Sequence, residues 1–398
     1  MLTSLALIFL VGLTLAAICQ KLRLPRIIGM LITGVILGPY VLDYLDPSIL
    51  GISSELRQMA LIIILIKAGL SLDIRDLKKV GRPAILMSFL PAVFEIIAVI
   101  LFAPALLKVT RMEAAIIGAV LGAVSPAVVV PKMVHLMERN YGTNKSIPQL
   151  ILAGASLDDV FVIVLFSTFV EIEQGGSASV LEFANIPISI VLGIVLGGVI
   201  GWLLALFFES AYAHKHVIRN SMKVIVVLGV AFLLMAMETW LEDMIAISGL
   251  LAIMSMACVL QMKSTDFVSK RLSEKFGKLW LAAEVILFVL VGAAVDIRYT
   301  MGAGLAALGL ILLALIFRSV GVLVCMIKTS LNLKERLFCV IAYLPKATVQ
   351  AAIGGVPLSL FLPCGKIVLS VAVLSIVITA PLGAFGMDIS YKKLLNKN

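Results

Sequence analysis

Residues Leu150–Val170 read LILAGASLDDVFVIVLFSTFV, an apolar run long enough to cross a bilayer, with two adjacent carboxylates, Asp158 and Asp159, near its middle. Membrane-insertion scales put one Asp at a helix centre at a cost of about 2.5–3.5 kcal/mol, so two demand a compensating role. Ionisable groups at that depth mark ion and proton pathways, and that is how this pair is read. Neighbours on one helix project about 100° apart, so the two carboxylates meet different surroundings and are expected to do different jobs.

The rest of the chain is of the same kind. Of 398 residues, 62% are hydrophobic and 14% charged, and the mean hydropathy of +1.15 is beyond that of a water-soluble chain of this length. An all-α polytopic membrane protein is expected, with no soluble domain or disordered tail left over. Hydropathy, Gly/Pro punctuation and charge clusters give thirteen spans: 2–18, 27–43, 57–72, 83–103, 113–136, 150–170, 186–208, 223–240, 245–261, 280–295, 304–327, 337–360 and 367–388. The first stretch is read as a span rather than a secretory signal, because no basic residue precedes it and LAAIC lacks a small residue immediately before Cys19. Cys19, Cys258, Cys325, Cys339 and Cys364 have no paired spacing, and His135, His214 and His216 are scattered. Neither disulfides nor a zinc site is expected.

Loops after odd-numbered spans hold 24 of the 32 Lys and Arg residues, including the KSTDFVSKRLSEKFGK cluster, whereas loops on the other side hold Arg57, Lys108, Arg111, Arg298 and Lys366. The positive-inside rule then predicts an N-terminus outside and a C-terminus in the cytoplasm, in the cell (inner) membrane. This orientation accounts for most of the net charge of +9 and removes the need for a nucleic-acid partner. Lys67, Arg318 and Lys346 remain inside spans; the role of Lys67 stays open.

The third span ends KAGLSLDIRDL and the tenth LVGAAVDIRYT. An offset of 223 places Gly69 on Gly292, Asp73 on Asp296, Ile74 on Ile297, Arg75 on Arg298, Gly81 on Gly304, Phe94 on Phe317 and Glu95 on Arg318. Spans 1–6 thereby pair with spans 8–13, and the single helix between them makes the two six-helix repeats inverted. Such repeats build secondary transporters, whose substrate site lies at the midplane. The corresponding spans five and twelve carry GAVLGAVSPAVVVPKM and CVIAYLPKATVQAAIGGVPL. Pro126 and Pro345 each remove a backbone donor beside Ser125 and Thr348, predicting two broken helices that cross and bring half-helix ends of both signs together. Lys346 follows one break directly and is expected to pair with a nearby carboxylate, while Glu95 and Arg318 are expected to form an ion pair between spans four and eleven.

Two rival classes fit less well. An intramembrane aspartyl protease needs carboxylates facing each other across a scissile bond, which sequential neighbours do not supply. A cation channel needs no inverted repeats with broken helices, although a channel of the same fold, or exchange of potassium rather than sodium, stays open. The glycine-rich seventh span, VLGIVLGGVIGW, suits either close packing or a hinge.

AVSPAVVVP, GASLDDV and YLPKATVQAAIG, in this order and spacing, resemble the cation/proton antiporter superfamily, specifically its NHA-type sodium/proton exchangers. The resemblance implies a secondary active sodium (lithium)/proton antiporter working by alternating access as a homodimer in the lipid bilayer. Such an antiporter would serve sodium and pH homeostasis and would carry no cofactor beyond the transported Na+ or Li+ and H+. It implies scaffold and dimer-contact helices over 1–78 and 221–300, mobile core helices over 79–171 and 301–390, and a linker helix over 186–208. Asp159 would bind cation and protons in turn, with Asp158 as its partner at the same metal-cation site. Lys346 would hold Asp158 until the cation arrives, and Glu95 and Arg318 would influence ion choice.

Overall fold

The computed structural model describes residues 1–22, 24–71, 81–175, 180–213, 219–241 and 247–397. Asp73, Ile74 and Arg75 of the offset match, together with His214 and His216, lie outside these residues. In chain order the helices are α1 Leu2–Lys21, α2 Arg26–Leu37, α3 Pro47–Gly51, α4 Ser53–Ser71, α5 Arg82–Met87, α6 Leu90–Leu107, α7 Arg111–Gly122, α8 Pro126–Glu138 and α9 Ile147–Glu173. There follow α10 Val180–Ala213, α11 Asn220–Leu241, α12 Gly249–Lys263, α13 Asp266–Ala293, α14 Ile297–Cys325, α15 Leu333–Ala342, α16 Thr348–Ile353, α17 Val356–Ser359 and α18 Gly365–Leu394. Among the described residues the chain is all-helical, and seven helices are long and apolar enough to cross a membrane.

Several spans differ from their expected limits, each for a local reason. The second ends at Leu37 rather than residue 43, because Pro39 drives Gly38 into an extended conformation (ψ 172°). The fourth is two helices: Pro91 has no N–H to donate to the preceding turn, and the chain bends at Ser88–Phe89. The basic cluster expected as a loop before residue 280 is instead helical from Asp266, since its Lys, Arg and Glu residues are good helix formers and continue α13.

The chain divides into two compact units. One comprises Leu56–Leu72 and Gly176–Glu284. Within it, Gly193, Gly197 and Gly201 recur every fourth residue along one side of α10, and a Cβ on each would lie 2.7, 2.0 and 2.4 Å from the Ser248, Ala252 and Met256 carbonyls. The seventh-span glycines are therefore a close-packing groove for α12, the small-residue device that lets membrane helices approach backbone to backbone.

The other unit comprises Met1–Glu55, Asp73–Gly175 and Val285–Asn398 and contains both broken helices. Each break follows a half-helix started by the same device. Thr110 and Glu113 form a reciprocal capping box on α7, and Asn332 and Glu335 form one on α15. α7 stops at Gly122, Ala123 and Ser125 are extended, and Pro126 opens α8 from its first turn, where a missing N–H costs nothing. α15 stops at Ala342, and Pro345 separates it from α16. The two unwound segments touch: the Ser125 N–H donates to the Pro345 carbonyl at 2.8 Å.

Candidate functional site

Unwinding α7 frees the carbonyls that a continuous helix would have paired, and buried carbonyls need donors. Four successive ones receive them from side chains elsewhere. Val120 and Ala123 accept from Gln350 Nε2 at 3.1 and 2.9 Å, Leu121 accepts from Lys346 Nζ, and Gly122 accepts from Arg318 Nη1. Two of the three donors are cations placed against the negative end of the half-helix, where its dipole favours them. One residue further on, the Val124 N–H donates to Asp158 Oδ2 at 2.9 Å. Over five residues the backbone thus turns from accepting side-chain N–H donors, two of them cationic groups, to donating to an acid.

The charged side chains form one chain of contacts. Arg318 donates from Nη1 to Glu95 Oε2 at 2.8 Å, from Nη2 to Asp158 Oδ2 at 3.0 Å and from Nε to the Tyr343 carbonyl at 2.7 Å. Its guanidinium carbon lies 5.6 Å from the centre of the Tyr343 ring. Lys346 Nζ contacts both Glu95 oxygens, at 2.7 and 2.9 Å, and its backbone N–H donates to Thr379 Oγ1 at 2.9 Å. Glu95, Asp158, Arg318 and Lys346 are all fully buried, as few charged side chains are unless paired.

The Glu95–Arg318 contact joins the two residues matched at an offset of 223. The pairing implied for Lys346 differs: it holds Glu95, and Asp158 is held by Arg318. The reason lies in the donors. A lysine ammonium is a single point, here shared among two Glu95 oxygens and the Leu121 carbonyl, whereas the planar guanidinium serves two carboxylates and two carbonyls at once.

Unused oxygens gather at the same breaks. Asp158 Oδ1, Asp159 Oδ1, Ser125 Oγ, Thr348 Oγ1 and Gln350 Oε1 are buried with no hydrogen-bond partner. Asp159 is 7% exposed and stands beside the ion-pair chain without a described hydrogen bond at Oδ1. Carboxylate, hydroxyl and carboxamide oxygens are the ligand types a hard cation takes. Gln350, Thr379 and Tyr343 were not singled out from the sequence. Gln350 and Thr379 carried the signal of polar side chains within apolar spans, and Tyr343 lies in the motif around Pro345.

Charged side chains threaded through two touching helix breaks in a multi-pass helical membrane protein are the arrangement of a secondary transporter. The family described as "Sodium/hydrogen exchanger, transmembrane" matches residues 5–388, and the chain belongs to it. It is 35% identical over 389 residues to human sodium/hydrogen exchanger 9B2, covering 94% of this chain and 70% of that one. It is 33% identical over 395 residues to human sodium/hydrogen exchanger 9B1, covering 94% and 73%. The fold is similar to that of the sodium proton antiporter MjNhaP1 from Methanocaldococcus jannaschii, with a TM-score of 0.83 at 21% identity over 99% of this chain and 98% of that one. The protein is thus a membrane antiporter of cations and protons rather than an enzyme.

Proposed function

We propose that the protein exchanges sodium or lithium for protons by alternating access, with cation and proton competing for the Asp158–Asp159 pair. The observation that supports this most directly is the pair itself: two adjacent buried carboxylates, each with an unpartnered oxygen, on a helix lying against the unwound segment of α7. Three carboxylates, Glu95, Asp158 and Asp159, accompany two bases, Arg318 and Lys346, so the fully ionised cluster carries one net negative charge. A proton or a monovalent cation neutralises it. Moving an uncompensated charge through a low-dielectric barrier is costly, so the loaded cluster crosses and the empty one does not, which couples the two fluxes.

The residues divide the work. Asp159, outside the ion-pair chain, takes cation or proton. Asp158 completes the site when the cation draws it from Arg318. Lys346 and Arg318 hold Glu95 and the freed α7 carbonyls, keeping the break open while the core moves. Thirteen spans in two inverted repeats, a homodimer built on the helices of 1–78 and 221–300, and a cytoplasmic C-terminus complete the proposal.

The test is cation-driven proton movement in proteoliposomes, read by dequenching of a pH dye across the alkali metals. Wild type responds to sodium and lithium, and Asp159→Asn does not. A response to sodium in Asp159→Asn equal to wild type would overturn the assignment.

A further inference from the structure

Gln350 has no part in the account so far beyond its two hydrogen bonds. It is fully buried on α16, the short helix after the second break, and reaches across to the first. Its Nε2 donates to the Val120 and Ala123 carbonyls, which fixes the carboxamide: turned over, it would aim Oε1 at two other acceptors. The Ala123 carbonyl and the Val124 N–H belong to one peptide unit. Gln350 grips the carbonyl end of that unit, and the amide end donates to Asp158. A peptide group is planar and rigid, so fixing one end orients the other.

We propose that Gln350 is a positioning residue for the ion site: by clamping the Ala123–Val124 peptide it aims the Val124 N–H at Asp158. The proposal rests on the reading of Asp158 and Asp159 as that site. It makes α16 a sensor of the first break, since any shift of α16 relative to α7 turns the peptide and with it the hydrogen bond that holds the Asp158 carboxylate in place. The charged and titratable groups around Asp158 include Arg318 and Cys325 from α14, Glu95 from α6, Lys346 and Tyr343 from the second break, and Asp159 beside it on α9. Their charges stay the same when Gln350 is replaced by a neutral residue. A carboxylate held in place ahead of the cation meets it at a smaller ordering cost, so loosening this hydrogen bond weakens cation binding.

The experiment is the sodium dependence of exchange in proteoliposomes at one fixed pH for Gln350→Met and Gln350→Leu. Both are neutral and remove the donor; Met keeps the length of the side chain, and Leu decides the matter if the Met protein does not fold. Both are expected to raise the apparent KM for sodium about three- to tenfold, the partial loss of one charge-assisted hydrogen bond, with the rate at saturating sodium kept. Folded variants with the wild-type KM, or a loss of maximal rate with the KM unmoved, would overturn the proposal. Wild type and Asp159→Asn are run alongside. If wild type exchanges sodium and Asp159→Asn does not, a wild-type sodium dependence in the Gln350 variants refutes the positioning role alone. If Asp159→Asn exchanges normally, the underlying site falls as well.

Discussion

Replacing Arg318 by Lys keeps the charge of the buried cluster and removes only the fork, which isolates what the guanidinium does. Four of its N–H bonds are engaged, to Glu95, Asp158, Tyr343 and Gly122. A lysine ammonium placed where Nη1 lies can serve Glu95 and Gly122. Asp158, held by the opposite terminal nitrogen, then loses its cationic partner and keeps only the Val124 N–H. A hydrogen bond to a charged group contributes about 1.5–3 kcal/mol, so Arg318→Lys should destabilise the cation-free protein by that amount. The same change removes the group that competes with the cation for Asp158. Sodium affinity should therefore rise, about tenfold for each 1.4 kcal/mol of competition relieved. Thermal unfolding in detergent, with sodium exchanged for choline at constant ionic strength and pH, reads both effects. The variant should melt well below wild type in choline, and the gap should narrow as sodium is added, because a ligand that binds only the folded state stabilises it in proportion to its affinity. Arg318→Met, which removes the cation from Asp158 and leaves Glu95 to Lys346 alone, should cost more, about 3–5 kcal/mol. An Arg318→Lys protein as stable as wild type in choline, or a gap that sodium leaves unchanged, would refute the reasoning.

Other predictions come from single contacts. A Cβ at Gly197 would lie 2.0 Å from the Ala252 carbonyl, so Gly197→Ala should lower stability by about 1–3 kcal/mol. Gly309 has open space at its Cβ, and Gly309→Ala should instead gain up to about 1 kcal/mol from helix propensity; equal melting shifts for the two would contradict the packing groove. The Tyr343 hydroxyl lies 2.0 Å from where a Gly154 Cβ would be and has no hydrogen-bond partner. Gly154→Ala should therefore destabilise, and Tyr343→Phe should recover part of the loss, with a double-mutant cycle showing whether the two changes couple. Asp46, in the loop before α3, is held down to about 2 by hydrogen bonds from the Ser48 side chain and backbone. Its folded-state value is depressed, so its stabilisation is present above the ordinary carboxylate range and is lost as pH falls through about 2. The stability difference between wild type and Asp46→Asn should be level from about pH 5 to 7 and disappear as pH falls through about 2.

What the sequence makes legible is whatever carries a large local cost. Two carboxylates in an apolar run, a lysine beside a proline and an arginine opposite a glutamate are each too expensive to be incidental, and all but Asp159 appear in one contact chain. The proline breaks are visible because a missing N–H cannot be hidden. The partner choice among the charges was not legible. Composition shows that Arg318 and Lys346 are both cations, but only side-chain reach decides that the fork bridges Glu95 and Asp158 while the ammonium stays on Glu95. Gln350 escaped notice because a neutral amide in a span is only mildly costly; its meaning lies in which carbonyls it reaches, residues 227 and 230 positions away. The helical start of α13 was hidden for the opposite reason, since a basic cluster reads equally well as a loop or as the solvated end of a helix.

The central claim is that sodium and protons displace each other at one buried carboxylate pair. Calorimetric titration of the purified protein with sodium, repeated in buffers of different ionisation enthalpy, counts the protons released as the cation binds. The account predicts release that accompanies sodium binding, grows as pH falls into the range where the site is protonated, and disappears together with binding in Asp159→Asn. Sodium binding without proton release at any pH, or binding that persists in Asp159→Asn, would contradict it.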